Sequence, residues 1–308
     1  MENMNEFIAK VKETLEEMLP ERVLKEAVLE EKLVVKENDE VLHGLNLVRG
    51  ENEISPLIFC DELFERYKKG EDLKDLLRNA VIVLSEDPGE TPKDLVDRLD
   101  IENVEGRLTL RLLEADRNRR FLEEIPHLDV GNGFVYVCEI RVDSPIGGYW
   151  KTTVNNTLMN DIGYDKERLF REAFLSSPKL SPAVMLSTLE IIMDMDNKHN
   201  VLENEKVLSD KEKDRLYVLT SEDRAKGASV LYYPGMMEKI GRVLGEGYYA
   251  VPSSMDEFLI IPDSVKANPK RLKSSVSESN SMKLKEGDKV LSDNIYHYDR
   301  ETGVMKTV

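Results

Sequence analysis

Two short stretches hold the residues best suited to chemistry. Tyr232-Tyr233-Pro234-Gly235 reads as a strand-to-helix joint. A glycine opening a helix exposes backbone N–H groups that can bind an anion, although proline and glycine also simply set a turn. In the second stretch, Ser253 and Ser254 follow Pro252, and Asp256 lies three residues beyond Ser253. A hydroxyl and a carboxylate at that offset cap the backbone of a tight turn, or form a small polar pocket at the ends of two strands. Tyr233, Gly235, Ser253, Ser254 and Asp256 are therefore the candidate binding residues. None receives a catalytic role, because a nucleophile needs a base within reach and no GxSxG elbow is present.

Other common chemistries lack their signatures. Neither GxxxxGK[ST] nor GxGxxG occurs, and Gly241, Gly245 and Gly247 have the wrong spacing for a phosphate loop; the last two suit a helix end. His43, His127, His199 and His297 lie far apart, without HExxH or CxxC. Asp194-Met-Asp196-Asn-Lys198-His199 superficially suggests a calcium loop, but a lysine stands at a ligand position and no glycine follows. It reads better as a helix end running into a linker. The sequence thus points to no metal and no cofactor. Tyr248, Tyr249, Tyr296 and Tyr298 fit half-buried packing on strands or a contact surface. Cys60 and Cys138 each sit in an apolar run, where a thiol is more often a core residue than a nucleophile. So few cysteines suggest a reducing compartment.

The charge narrows the choice of partner. The chain of 308 residues carries a net charge of -17. From Ser264 onward nine basic side chains face six acidic ones, so the preceding residues hold 34 basic against 54 acidic. Such a body repels phosphate backbones and anionic membranes, so no direct nucleic-acid contact is expected. The basic run from Lys266 to Lys273 has no interleaved aromatics and reads as a solvated segment folding back on the acidic surface. A basic protein is the partner that this balance favours. The opening MENMNEFIAKV lacks a continuous apolar core, and no apolar run approaches the ~20 residues of a membrane span. A soluble cytoplasmic protein is expected.

These residues need a scaffold, and the periodicities supply one. Met4, Phe7, Ile8, Val11, Leu15, Met18 and Leu19 form a helical stripe that Pro20 stops. Extended segments are expected at 22–35 and 41–48, joined by a turn at Asn38-Asp39, with a third at 54–59. A helix pair broken at Gly70 follows over 61–84. Thr91 and Pro92 fit a helix start. Further on, 104–113 reads as a strand, 134–142 and 148–154 as a hairpin, Asp165 as the cap of a helix to Phe174, and 183–195 as another helix after Pro178 and Pro182. The polar stretch to Asp214 is the best linker. Strands are expected at 216–219, 228–232, 248–251 and 257–261, with a helix at 235–244. The fold class is α+β: small, mostly antiparallel sheets with helices packed on one side, in two or three modules. Their boundaries are 1–88, 91–200 and 215–308, the last with a basic, Ser-rich segment at 264–281.

The pattern YVLT…GA..LYYPG from Tyr217 to Gly235, then YYAVPSSMDEFLIIPD from Tyr248 to Asp263, then LSDNIYHYDR from Leu291 to Arg300, resembles a family. It is domain-of-unknown-function family 5688, from anaerobic gut bacteria. MNEFIAKVKETL and ISPLIF…LFERYKKGEDL resemble it too, so the likeness spans most of the chain. A remoter likeness runs to another uncharacterised bacterial family. The resemblance implies one bacterial family unit and leaves the chemistry open. The function expected from these readings is a non-enzymatic accessory protein that binds another protein. Two alternatives stand beside it: an enzyme or small-molecule binder with a site assembled from distant residues, and an acidic decoy for a nucleic-acid-binding protein.

Overall fold

The computed structural model describes residues 3–48, 57–85, 104–143, 149–193, 199–204, 206–210, 213, 216–286 and 289–308. The strand start at 54–56, the Thr91-Pro92 helix start, the 144–148 connection and the 194–198 loop lie outside them. The fold is α+β with antiparallel sheets, in two compact units, Met1–Ile101 and Glu102–Val308. No described helix is long and apolar enough to cross a membrane.

In the first unit, α1 (Met4–Met18) starts with a capping box: Glu6 N donates to Asn3 Oδ1 at 3.0 Å and Asn3 N to Glu6 Oε2 at 2.9 Å. Phe7, Ile8, Val11 and Leu15 of its stripe are buried and Met4 and Met18 half-buried, while Leu19 is the buried C-cap just past the helix. Residues 22–35 divide: α2 (Glu21–Glu26) precedes β1 (Val28–Val35), because the chain has not yet turned into register with β2 (Val41–Val48). Asn38 and Asp39 make the turn between them with left-handed backbones, at φ 61° and 53°. β3 (Leu57–Phe59) completes the order β1-β2-β3. Cys60 opens α3 (Cys60–Lys68) rather than closing the strand, and α4 (Leu73–Ser85) follows beyond Gly70. Phe7 packs at a tilt against Phe64 and Tyr67 in the core, with ring centroids 4.9 and 5.2 Å away. Burial of Cys60, followed by the charges of Asp61 and Glu31, pushes its thiol up to about 12. That makes it a packing residue.

The second unit joins two sheets. The smaller contains β4 (Leu108–Glu114), β5 (His127–Gly131), β6 (Phe134–Asp143) and β7 (Tyr149–Thr153), with β6 pairing all three others. α5 (Asn156–Asp161) and α6 (Lys166–Leu180) follow, each with a side-chain N-cap. Pro178 does not break α6; it sits in the final turn, where few backbone bonds remain to lose. Asp165 Oδ1 accepts from Arg168 N at 2.7 Å. Asp165→Ala is therefore expected to cost about 1 kcal/mol in a urea denaturation series, whereas Asp165→Asn should cost little.

The larger sheet has the order β13-β12-β10-β11-β9-β8. Its strands are β8 (Ala183–Ser187), β9 (Tyr217–Ser221), β10 (Tyr248–Pro252), β11 (Phe258–Pro262), β12 (Tyr296–Asp299) and β13 (Val304–Thr307). Residues 183–187 are thus a strand, and only Thr188–Ile192 (α7) is helical. Asn200 explains the strand: its Oδ1 accepts from Met185 N at 3.0 Å and its Nδ2 donates to Ala183 O at 3.3 Å. One side chain thereby covers a sheet edge. Residues 227–232 form a buried 3-10 turn instead of a strand, held by Tyr136 Oη donating to Ser229 O at 2.6 Å. α8 (Met236–Leu244) packs on one face of the sheet, close enough that a Cβ on Gly241 would lie 2.8 Å from the Tyr298 ring. α9 (Pro269–Glu286) lies on the other face, where Leu272 and Val276 meet Val251 and Ile261. Lys270, Arg271 and Lys273 of the basic run thus lie at the start of a docked helix, and Lys266 precedes it.

Candidate functional site

The structure separates the five candidate residues into two places. Tyr233 and Gly235 line an open groove of about 590 Å³ between the start of α8 and the Asp299–Gly303 turn. Gly235 takes φ 73°, a left-handed cap that a side chain would strain. Tyr233 is buried, with its hydroxyl donating to Ser181 O at 3.3 Å, and burial pushes that phenol up to about 12. It stays neutral and gives the groove an apolar floor. Across from it Asp299 Oδ1 accepts from Glu301 N at 2.9 Å and Thr302 N at 3.0 Å. The Thr302 N–H, foremost among these contacts, holds that carboxyl below the usual range. Arg300 is tied to Gly245 O. Glu238, Glu301 and the nearby Asp299 outnumber Arg300 and Arg242, whose Nη2 donates to Glu238 Oε1 at 3.0 Å, so the rim keeps an acidic character.

Ser253, Ser254 and Asp256 occupy the β10–β11 turn, as their spacing predicts. Ser253 N and Ser254 N donate to Glu257 O, and Asp256 N donates to Ser254 Oγ at 3.0 Å. The Ser253 carbonyl receives Lys283 Nζ. Asp256 also does something the spacing does not reveal. Its Oδ1 accepts from Lys226 N at 2.7 Å, and its carbonyl accepts from Thr220 Oγ1 at 2.7 Å. These bonds hold Lys226 at φ 56°, a left-handed conformation costing about 1–2 kcal/mol in a residue with a Cβ. Gly227 must follow: a Cβ there would lie 2.3 Å from Thr220 Oγ1 and 2.4 Å from Ser221 N.

So placed, Lys226 Nζ donates to Glu139 Oε1 at 2.6 Å. The same oxygen accepts from Arg111 Nη1 at 3.1 Å. Side chains of Arg111 and Glu139 are only 1% and 2% exposed, against 38% for Lys226. Thr109, Arg111, Glu139, Arg141 and Lys151 share one face of the smaller sheet, since Thr109 pairs Glu139 and Arg141 pairs Lys151. Tyr149 on β7 lies under the Arg141 guanidinium, 4.0 Å from its ring centroid, and donates to Asp223 Oδ2. Asp223 Oδ1 accepts from Ser221 Oγ at 2.5 Å. Burial pushes the Asp223 carboxyl up, but the bonds from Ser221 and Tyr149 and the charge of Lys151 outweigh it and leave it below its ordinary value. Burial, with the bond to Asp223, pushes the Tyr149 phenol up to about 12. Arg111 and Glu139 are thus sealed from solvent, and Lys226 is the partly exposed side chain that meets them.

A family model matches residues 4–300. The chain belongs to the family of unknown function DUF5688. No curated protein and no solved structure matches it. Membership in DUF5688 thus brings no assigned chemistry to either the groove or the charged cluster, and both rest on their own geometry.

Two histidines of this DUF5688 chain pair with aspartates. Asp61 accepts from His43 N at 2.7 Å and meets His43 Nδ1 at 3.0 Å, fastening the start of α3 to β2. His297 Nε2 meets Asp263 Oδ1 at 2.9 Å beside the Tyr249 ring. Among the described residues no group of three His, Cys, Asp or Glu side chains could hold a metal ion.

Proposed function

We propose that this DUF5688 protein is a non-enzymatic interaction protein that seats an extended segment of a basic protein partner in the Tyr233–Gly235 groove. The observation that carries the reading is the groove itself: about 590 Å³, open, floored by tyrosine and Met237, and rimmed by Glu238 and Glu301. Tyrosine and methionine are enriched at protein contacts, and a pocket able to take one apolar anchor is where binding energy concentrates. The rim carries the same sign as the whole chain, whose net charge is -17. A basic segment is therefore drawn in from a distance and held at short range by the same carboxylates.

The test compares the full chain with Glu238→Lys/Glu301→Lys in capture from host lysate at low and high salt. Asp116→Lys/Asp210→Lys is the control, because it changes net charge equally at exposed positions outside the groove. A stoichiometric basic partner should survive high salt with the wild-type chain and the control. Its affinity should fall about tenfold or more with the groove variant, the effect of losing ~1.4 kcal/mol. Equal retention by both variants, or capture of no partner at either salt, overturns the reading.

A further inference from the structure

The second unit protects its sheet edges. β4 is an edge strand that α6 covers: Ser177 Oγ accepts from Leu110 N at 2.5 Å and Ser176 Oγ donates to Leu108 O at 2.6 Å. Asn200 covers β8 in the same way. β5 carries a bulge between Asp129 and Gly131, and β13 is only four residues long. Each device discourages pairing with another chain. In the first unit β1 is neither covered, bulged nor short. It runs for eight residues in unbroken register with β2, from Val28 opposite Val48 to Val35 opposite Val41. Among the described residues β2 is its only strand neighbour. Val28 and Leu33 are 63% and 62% exposed.

Two hydrogen bonds fix which backbone groups of β1 face outward. Lys36 N donates to Glu40 O at 2.7 Å where the hairpin closes, so Val34–Leu42, Lys32–Gly44 and Glu30–Asn46 are the pairs that exchange bonds with β2. His43, opposite Leu33, agrees: its N–H points away from β1 and donates to Asp61 Oδ2 at 2.7 Å. The N–H and C=O groups of Leu29, Glu31, Leu33 and Val35 therefore face the open edge. Among the described residues nothing bonds to them there.

A second copy of β1 fits this edge antiparallel, about a two-fold axis, when outward-facing residues meet outward-facing residues. Axes near the middle of the strand differ in the charges they oppose. One centred on Glu31 sets Glu31 against Glu31, and one on Lys32 sets Lys32 against Lys32. One centred on Val34 sets Lys32 against Lys36. Like charges directly opposite are destabilising. Centring on Leu33 opposes none. It joins Leu33 to Leu33, Glu31 to Val35 and Lys32 to Val34, and it sets Glu30 against Lys36 on both sides of the axis.

We propose that β1 pairs with β1 of a second copy of this chain, antiparallel and centred on Leu33, making one continuous sheet in the order β3-β2-β1-β1-β2-β3. The Leu33–Leu33 and Glu31–Val35 pairs exchange the backbone hydrogen bonds, and the two exposed Leu33 side chains leave water together. A two-fold contact closes on itself, so assembly stops at the dimer. No residue of β1 lines the Tyr233–Gly235 groove, so this contact and the reading of the groove stand or fall separately.

The experiment is sedimentation equilibrium of the full chain at ~0.15 M salt, where charges more than about 8 Å apart are largely screened. Reversible association from 35.3 kDa to twice that mass is expected. Glu30→Lys sets lysine against Lys36 and should weaken the dimer about tenfold or more, whereas Glu30→Lys/Lys36→Glu should restore it to within about threefold of the wild type. Leu33→Cys should form a disulfide-linked dimer in air, because the Cα atoms of such a pair lie about 5.5 Å apart. Val28→Cys is equally exposed but should not, since five residues on each side of the axis separate the two thiols by about 33 Å. Cys60 and Cys138 are buried and stay out of the reaction. Circular dichroism checks that each variant folds. A chain that stays monomeric up to about 100 µM overturns the proposal, as does association that continues past the dimer. So does a charge swap that restores nothing, or a Val28→Cys chain that cross-links as readily as Leu33→Cys.

Discussion

Arg111→Met should destabilise the Glu102–Val308 unit by about 3 kcal/mol in urea denaturation. The substitution is close to isosteric, so packing is largely kept. What it removes is the buried partner of a carboxylate that is 2% exposed. A charge left in that position cannot recover its hydration and must neutralise or drag water in. Lys226 remains on Glu139 Oε1, which places the expected cost at the lower end of the ~3–5 kcal/mol range for breaking a buried pair. The double variant Arg111→Met/Glu139→Met should recover most of the loss, because it exchanges a buried pair for two apolar side chains and lets the partly exposed Lys226 swing to water. A single-variant cost under ~1 kcal/mol would show that the pair is solvated in solution. Strict additivity of the two single variants would show that the side chains do not interact.

That pair also marks where the sequence stops being readable. Arg111 interrupts the apolar run Leu108–Leu113, and Glu139 interrupts Phe134–Val142. Each looks like an outward-facing charge on a strand whose other face is buried. Only the β4–β6 register, with Arg111 opposite Val137 and Thr109 opposite Glu139, brings the two onto one covered face. The signal was a pair of opposite charges, one in each of two strongly apolar strands. Lys226 joins them from 87 residues away, and nothing local announces it. By contrast, the helix at 236–244, the hairpin of β1 and β2 and the Ser253–Asp256 turn are fixed by neighbours within a few residues, so they were legible. The strand at 183–187 failed for a related reason. A short apolar run fits either a buried strand or a buried helix, and Asn200, with the register to β9, decides it. The turn at 227–232 is likewise chosen by tertiary bonds to Tyr136 and by the crowding at Gly227.

Phe134→Ala is expected to cost about 3–5 kcal/mol, and to take it from both sheets of the second unit at once. Phe134 begins β6, is fully buried, and meets three rings. Tyr296 lies 5.1 Å away, Tyr232 5.5 Å, and Phe258 6.3 Å, mostly edge-on or tilted, which is the favourable arrangement. Those partners belong to the larger sheet and the turn beneath it, so one phenyl ring bridges the segments 104–193 and 216–308. The link is reinforced at Ser292, whose hydroxyl donates to Glu114 Oε1 at 2.6 Å, and at Arg117, which pairs with Asp293. If 91–200 and 215–308 unfolded as separate modules, removing the ring would loosen the contact between them and split the transition in two. With a shared core, the Glu102–Val308 unit should instead keep one cooperative transition, displaced to lower denaturant with its slope unchanged. Tyr296→Phe is the control. It keeps the ring and loses only the hydroxyl contact with Ser292 Oγ at 2.9 Å, so about 1 kcal/mol is expected. A Phe134→Ala transition that splits in two, seen by both fluorescence and far-ultraviolet circular dichroism, would return the boundary near residue 200 to a true domain border. A single displaced transition makes the two sheets one folding unit, with the charged face of the smaller sheet closed by the loops of the larger.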